Sequence, residues 1–209
     1  MLNTAESWAV RYIDPVLAGD VDSASRLACA LGNDKRGVFA DALWQYRIPQ
    51  PAFQKFLEDV WNHDHRYLID AAKNRRRLRA MFNYAAFSLP AHLPETVTVW
   101  RGTSALPFKQ AVRGLSWTVD RDCACWFAMR FAGKNGNPLV LKASVPKSNI
   151  LMFTDSRSER EAVIFDKKPC LDPAGVTDWQ QRYVLHEQKL RQDSIAMLAA
   201  AQPDRDATP

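Results

Sequence analysis

The chain is short of cysteine, of net charge and of long apolar runs, and each shortage narrows what it can be. Four cysteines in 209 residues, Cys29, Cys123, Cys125 and Cys170, suggest no disulfide framework in a chain large enough to bury a core unaided, so free thiols are expected. The net charge is only +5, split as +1 over residues 1–95 and +4 over 96–209, without the dense clustered excess of an electrostatic nucleic-acid footprint. No stretch approaches the roughly 18 consecutive apolar residues that span a bilayer. The opening MLNTAESWAV lacks a basic segment followed by an apolar run, so a cytosolic protein with no membrane partner is expected. Internal repeats and low-complexity segments are missing too. What is present, 47% hydrophobic and 24% charged residues, suits one folded domain or two small ones and argues against disorder, collagen or coiled coil.

Residues 8–89 read as helical. Phe53, Phe56, Leu57, Val60 and Trp61 recur at i, i+3, i+4, i+7 and i+8, the spacing of one apolar helix face. Val38, Phe39, Ala42, Leu43 and Tyr46 repeat the pattern, as do Leu78, Met81, Phe82, Ala85 and Ala86. Pro49 and Pro51 separate two of these helices, because proline lacks the N–H and crowds the preceding turn, and Pro90 and Pro94 close the helical part.

From Thr96 the period changes to two. Thr96–Trp100 and Leu139–Val145 alternate as half-buried strands do, while Ile150–Phe153 and Ala162–Phe165 are short apolar runs that fit buried strands. Asp120 is a capping residue for a helix reaching Phe131. A last helix is expected from Asp178 to Ala201, with Tyr183, Leu190 and Met197 at heptad spacing, followed by a flexible tail over 203–209.

Three short motifs stand in order within the strand-rich part: Trp100-Arg101-Gly102-Thr103 at a strand end, Leu115-Ser116-Trp117-Thr118 before a helix, and Ser158-Glu159-Arg160-Glu161 leading into a strand. Singly, each has a plain reading: a surface arginine, a turn hydroxyl, and two glutamates sharing the face of an exposed strand. Together, over Val97–Phe165, their order, spacing and strand context resemble the mono-ADP-ribosyltransferases of the arginine-serine-glutamate type. The small and aromatic helix Cys123–Ala128 is similar to the helix that packs on the sheet in that family.

An α+β protein is expected, with a helical region over 1–94 that could serve target recognition and a catalytic domain over 95–202, whose split mixed β-sheet core and flanking helices are what the resemblance implies. It implies NAD+ as a consumed co-substrate, a protein acceptor such as a host protein or nucleoprotein complex, and no metal. It implies Glu161 as the catalytic carboxylate on the nicotinamide ribose, Ser116 holding that carboxylate, and Arg101, Gly102, Thr103, Ser116, Trp117 and Thr118 binding the dinucleotide. It places Glu159 at the acceptor, where the family associates a glutamate with arginine. A compact transferase with its own helical extension also fits an effector, toxin or phage-encoded modifier, the anti-CRISPR kind included.

Elementary chemistry supports these roles. Breaking the nicotinamide–ribose bond develops positive charge on the sugar, which a fixed carboxylate stabilises. A guanidinium fork suits phosphate and ribose oxygens, and glycine allows a close approach of backbone to ligand. Trp117 has two open roles, stacking on nicotinamide or filling the core.

Rival readings start from other clusters. His63 and His65 at i and i+2 of a helix point apart and cannot easily share an ion. Cys123 and Cys125 lack the Cys-x-x-Cys zinc spacing. Residues 73–79 hold five cations in seven positions, which opens a nucleic-acid or protein-binding module against the commoner solvated helix face. An NAD+ glycohydrolase, passing ADP-ribose to water, is the remaining alternative.

Overall fold

The structure, a computed structural model, describes residues 8–134 and 136–200; the tail expected over 203–209 lies outside them. The described residues divide into two units, one up to Pro90 and one from Ala91 onward.

The first unit is helical. A 3-10 turn, Val10–Tyr12, leads into α1 (Ile13–Leu17), α2 (Val21–Ala30), α3 (Asn33–Gln45), α4 (Gln50–Ala72) and α5 (Arg75–Ala85). Their boundaries follow local chemistry. Asp20 caps α2 by accepting from the Ser23 N–H at 3.0 Å, and Asn74 caps α5 by accepting from the Arg77 N–H at 2.9 Å. Pro49 and Pro51 open α4, where missing N–H groups cost nothing. Phe53, Phe56, Leu57, Val60 and Trp61 are all fully buried, so the stripe on α4 is the centre of this unit's core. Each such side chain contributes about 1.5–3 kcal/mol.

The face expected on α3 is rotated. Phe39, Ala42 and Leu43 are buried, but Val38 is 40% and Tyr46 65% exposed. The reason is Gly37: a Cβ there would overlap the backbone of Tyr67, so α3 lies against α4 along a face centred on that glycine. Ala86 ends α5 as its left-handed C-cap rather than extending the apolar stripe.

The second unit contains β1 (Thr96–Thr103), α6 (Phe108–Ala111), β2 (Ser116–Thr118), α7 (Arg121–Met129), β3 (Leu139–Pro146), β4 (Ile150–Thr154), β5 (Glu161–Ile164), β6 (Cys170–Leu171) and α8 (Gly175–Ala200). The strands form one six-stranded sheet in the order β4-β5-β2-β1-β3-β6. Where a split, mixed sheet is expected, the described pairings are all antiparallel. Their strength is uneven. β1 and β3 pair from Thr96↔Pro146 to Thr103↔Leu139, whereas β1 and β2 meet in register only at Trp100↔Thr118. The β1–β2 pairing is therefore the shortest of those involving β1.

Helix α7 lies on β1, and its Ala124, Cys125 and Ala128 form a buried cluster with Val140 and Trp179, against which Trp100 packs. Helices α7 and α8 are also joined by a polar network. Arg121 Nη2 donates to Asp172 at 2.5 Å and Asp178 at 2.7 Å, Trp179 Nε1 donates to Asp172 at 2.9 Å, and Arg182 bridges Asp122 and Asp178. Asp172 is buried, so removing its partners would strand a charge. The heptad expected along α8 does not hold to the end: Tyr183 and Leu190 are half-buried, but Met197 is 70% exposed. Among the described residues no helix is long and apolar enough to cross a membrane.

Candidate functional site

The joint between β1 and β2 is where the three motifs gather. Beyond Trp100↔Thr118 the two strands part, and the Arg101 side chain fills the gap. Its Nη1 donates to the Ser116 carbonyl at 2.6 Å, so a guanidinium takes an acceptor that a strand N–H would otherwise serve. Gly114 makes room for it: a Cβ there would overlap Nε and Cζ of Arg101 and stand 2.8 Å from Nη2. Gly114 was not among the expected site residues; a glycine two residues before Ser116 is the signal it leaves in the sequence.

Arg101 is half-buried, and its Nε is fully buried with no hydrogen-bond acceptor. Buried donors are nearly always satisfied, so this N–H is an exception, held close against Gly114. Burial pulls the Arg101 pKa below its ordinary value, and the nearby Glu161 carboxylate acts in the opposite direction. The guanidinium remains charged.

Glu161, the first residue of β5, is only 3% exposed and pairs with Thr118 on one side and Thr154 on the other. Ser116 and Thr118 alternate onto one face of β2, paired with Val163 and Glu161. The contact made by Ser116 to Arg101 runs through its carbonyl. Thr118 ties the site together, since its hydroxyl donates to the Glu159 carbonyl at 2.6 Å and accepts from the Asp120 N–H at 2.9 Å. Asp120 in turn caps α7 through Asp122 N at 2.8 Å and Cys123 N at 3.2 Å.

Glu159 does not lie on the strand, so the shared face expected for Glu159 and Glu161 is not produced by strand alternation. Glu159 sits in the turn 155–160, flanked by Ser158 at φ 55° and Arg160 at φ 47°. Two left-handed residues without glycine store roughly 1–3 kcal/mol of strain each. Asp155 holds them, accepting from Ser158 N through its carbonyl and from Arg160 N through Oδ1, both at 3.0 Å. The Arg160 carbonyl accepts from Val119 N at 3.1 Å.

The turn brings both acids to one cation. Arg157 Nη2 lies 2.9 Å from Glu159 Oε2 and 3.6 Å from Glu161 Oε2. Burial raises the Glu159 carboxyl pKa above its ordinary value, while Arg157 pulls it down and Glu161 pushes it up. Arg130 is also in the field of Glu159, and its guanidinium rests over the rings of Trp126, Phe127 and Phe131 at 4.4–4.9 Å. Arg130 and Arg157 were not among the expected site residues. Arginines beside the aromatic helix end and inside the Ser-x-Ser-Glu turn are the signals they leave in the sequence.

Two expected binding residues serve packing. Of the roles open for Trp117, the core one is observed: it is 1% exposed, donates to the Gly114 carbonyl at 2.9 Å, and is covered by Lys167, leaving no ring face for a ligand. The close approach allowed by Gly102 is to α7, because a Cβ would overlap the Ala124 carbonyl and stand 2.8 Å from Ala128 N. Thr103 ends β1, half-buried, opposite Leu139.

The rival clusters are engaged elsewhere. His63 Nδ1 is 2.7 Å from the Asp59 carbonyl, and His65 stacks on Trp61. Cys123 and Cys125 are buried in α7, where burial pushes both thiols up to about 12. In the basic run, Arg77 makes a bidentate pair with Asp41 at 2.6 and 2.8 Å. Among the described residues no group of three or more His, Cys, Asp or Glu is arranged to hold a metal ion.

Searches against protein-family models, curated proteins and solved structures return no match for this chain.

Proposed function

We propose that residues 91–200 form an ADP-ribosyltransferase that moves ADP-ribose from NAD+ to a protein side chain, arginine favoured. The observation that carries this reading is the convergence of the three motifs at the parting of β1 and β2. Arg101 reaches the Ser116 strand at 2.6 Å, and Glu161 lies within its field on the next strand. Pairing of β1 and β2 at a single register position supports an ADP-ribosyltransferase-like split of the sheet, with Arg101 at the parting where the dinucleotide would bind.

In this reading Arg101 binds the dinucleotide through phosphate or ribose oxygens at its terminal nitrogens. Glu161 accepts from a hydroxyl of the nicotinamide ribose and stabilises the positive charge that grows on C1′ as neutral nicotinamide departs with the bonding electrons. Ser116 orients Arg101 and lines the same face as Glu161's partner Thr118. Glu159 receives the acceptor: its raised pKa makes it a better base toward an incoming guanidinium than an ordinary carboxylate, at a pH where it is still ionised.

Incubation with NAD+, with and without a cell lysate, tests the proposal. Slow nicotinamide release that a lysate accelerates, with ADP-ribose appearing on lysate proteins, is the expected result. Fast release without any acceptor assigns a glycohydrolase instead, and no release under either condition contradicts both.

A further inference from the structure

Arg157 stands where an arginine acceptor would have to stand. Its Nη2 is 2.9 Å from the Glu159 carboxylate and 3.6 Å from that of Glu161, and the side chain is 45% exposed. Under the transferase reading, Glu161 holds the nicotinamide ribose and Glu159 receives a guanidinium. An external acceptor must bring the same functional group to the same two carboxylates. The arrangement is built rather than incidental, because the turn that returns Arg157 onto Glu159 and Glu161 contains the left-handed Ser158 and Arg160 and is fastened by Asp155.

We propose that Arg157 is a self-modification site: with NAD+ bound, its guanidinium nitrogen attacks C1′ of the nicotinamide ribose, and the protein ADP-ribosylates its own turn. This rests on the transferase reading above. The step balances as a substitution. The C1′–nicotinamide nitrogen bond breaks and its electron pair leaves with neutral nicotinamide. A guanidinium proton passes to the Glu159 carboxylate and then to water, and the freed nitrogen lone pair forms the C1′–N bond. The product guanidinium keeps its positive charge, so one NAD+ yields one ADP-ribosyl-arginine, one nicotinamide and one proton, with no oxidant or reductant. Tethering the nucleophile two residues from Glu159 makes the reaction intramolecular, which supplies the positioning that a separate acceptor must obtain by binding. Once modified, Arg157 places a bulky anionic group over the acceptor position, so self-modification and transfer to other proteins compete.

The test uses the full chain and NAD+ alone, following nicotinamide release and mapping adducts by peptide mass spectrometry at two protein concentrations about 100-fold apart. The expected result is one ADP-ribose on Arg157, formed at a rate per molecule independent of protein concentration. In Arg157→Lys the adduct at this position falls below a tenth of wild type, and in Arg160→Lys it remains on Arg157. Thermal melting of both variants verifies that they fold. Nicotinamide release with no adduct on Arg157, or an adduct whose rate per molecule rises with protein concentration, overturns self-modification in cis and leaves the transferase reading standing. No nicotinamide release and no adduct overturns the transferase reading and this proposal with it.

Discussion

Gly114→Ala is a one-methyl test of how Arg101 is seated. The Gly114 φ lies outside the left-handed range, and the three atoms nearest to a new Cβ all belong to the Arg101 guanidinium. The new Cβ would overlap Nε and Cζ and sit 2.8 Å from Nη2, so the planar group must withdraw by about 1 Å to regain ordinary contact distance. A shift of that size breaks the 2.6 Å bond from Nη1 to the Ser116 carbonyl. A hydrogen bond to a charged group is worth about 1.5–3 kcal/mol. The variant is therefore expected to lose about 1.5–3 kcal/mol of stability, and its dissociation constant for NAD+ to rise because the guanidinium has left its seat. Calorimetric titration of NAD+ into the variant reads this directly, with both proteins in a Glu161→Gln background so that the dinucleotide survives the measurement. An unchanged dissociation constant together with an unchanged melting temperature would refute the seating of Arg101 against Gly114.

Other outcomes follow from the same geometry. Gly102→Ala drives a methyl into the backbone of α7, which cannot yield as a side chain can, and is expected to cost about 3 kcal/mol or more in urea unfolding, at the upper end for overpacking. Glu159→Gln is expected to raise the melting temperature near neutral pH. Burial is the largest influence on Glu159 and raises its folded pKa, so the wild type loses stability as pH climbs through that pKa, whereas glutamine does not. The gap should close as pH falls toward the ordinary value of 4.5, and a wild type that is the more stable protein at neutral pH contradicts the burial argument. Native alkylation at pH 8 should label the exposed Cys29 and Cys170 and spare Cys123 and Cys125, whose thiols are pushed up to about 12; intact mass counts the labels before and after unfolding.

Much of the fold was legible because its signals are periodic and local. The stripe from Phe53 to Trp61 needs only the 3.6-residue repeat, and the alternation at 96–100 and 139–145 needs only the two-residue repeat. Asp120 announced α7 because a short carboxylate before a small-residue run satisfies N–H groups that the helix leaves open. The misread positions depend on partners distant in sequence. Nothing near Val38 reveals that Gly37 brings α3 onto the Tyr67 backbone, and nothing near Gly102 reveals that its neighbour is α7. The two-residue β6 is too short to leave a pattern. In the candidate site the conspicuous residues, Arg101, Ser116, Glu159 and Glu161, could be named from their motifs. Gly114 and Arg157 could not, because the first acts through a missing side chain and the second through a strained turn that folds an arginine back onto its neighbours.

Nicotinamide release from excess NAD+ by the wild type and by Glu161→Gln measures most directly whether Glu161 is the carboxylate that serves the nicotinamide ribose. The expected result is measurable release by the wild type and a fall of roughly 10²- to 10⁴-fold in the variant, with the melting temperature retained, as for loss of a group that acts on the transition state. Equal release from the two proteins, or none from the wild type, contradicts it.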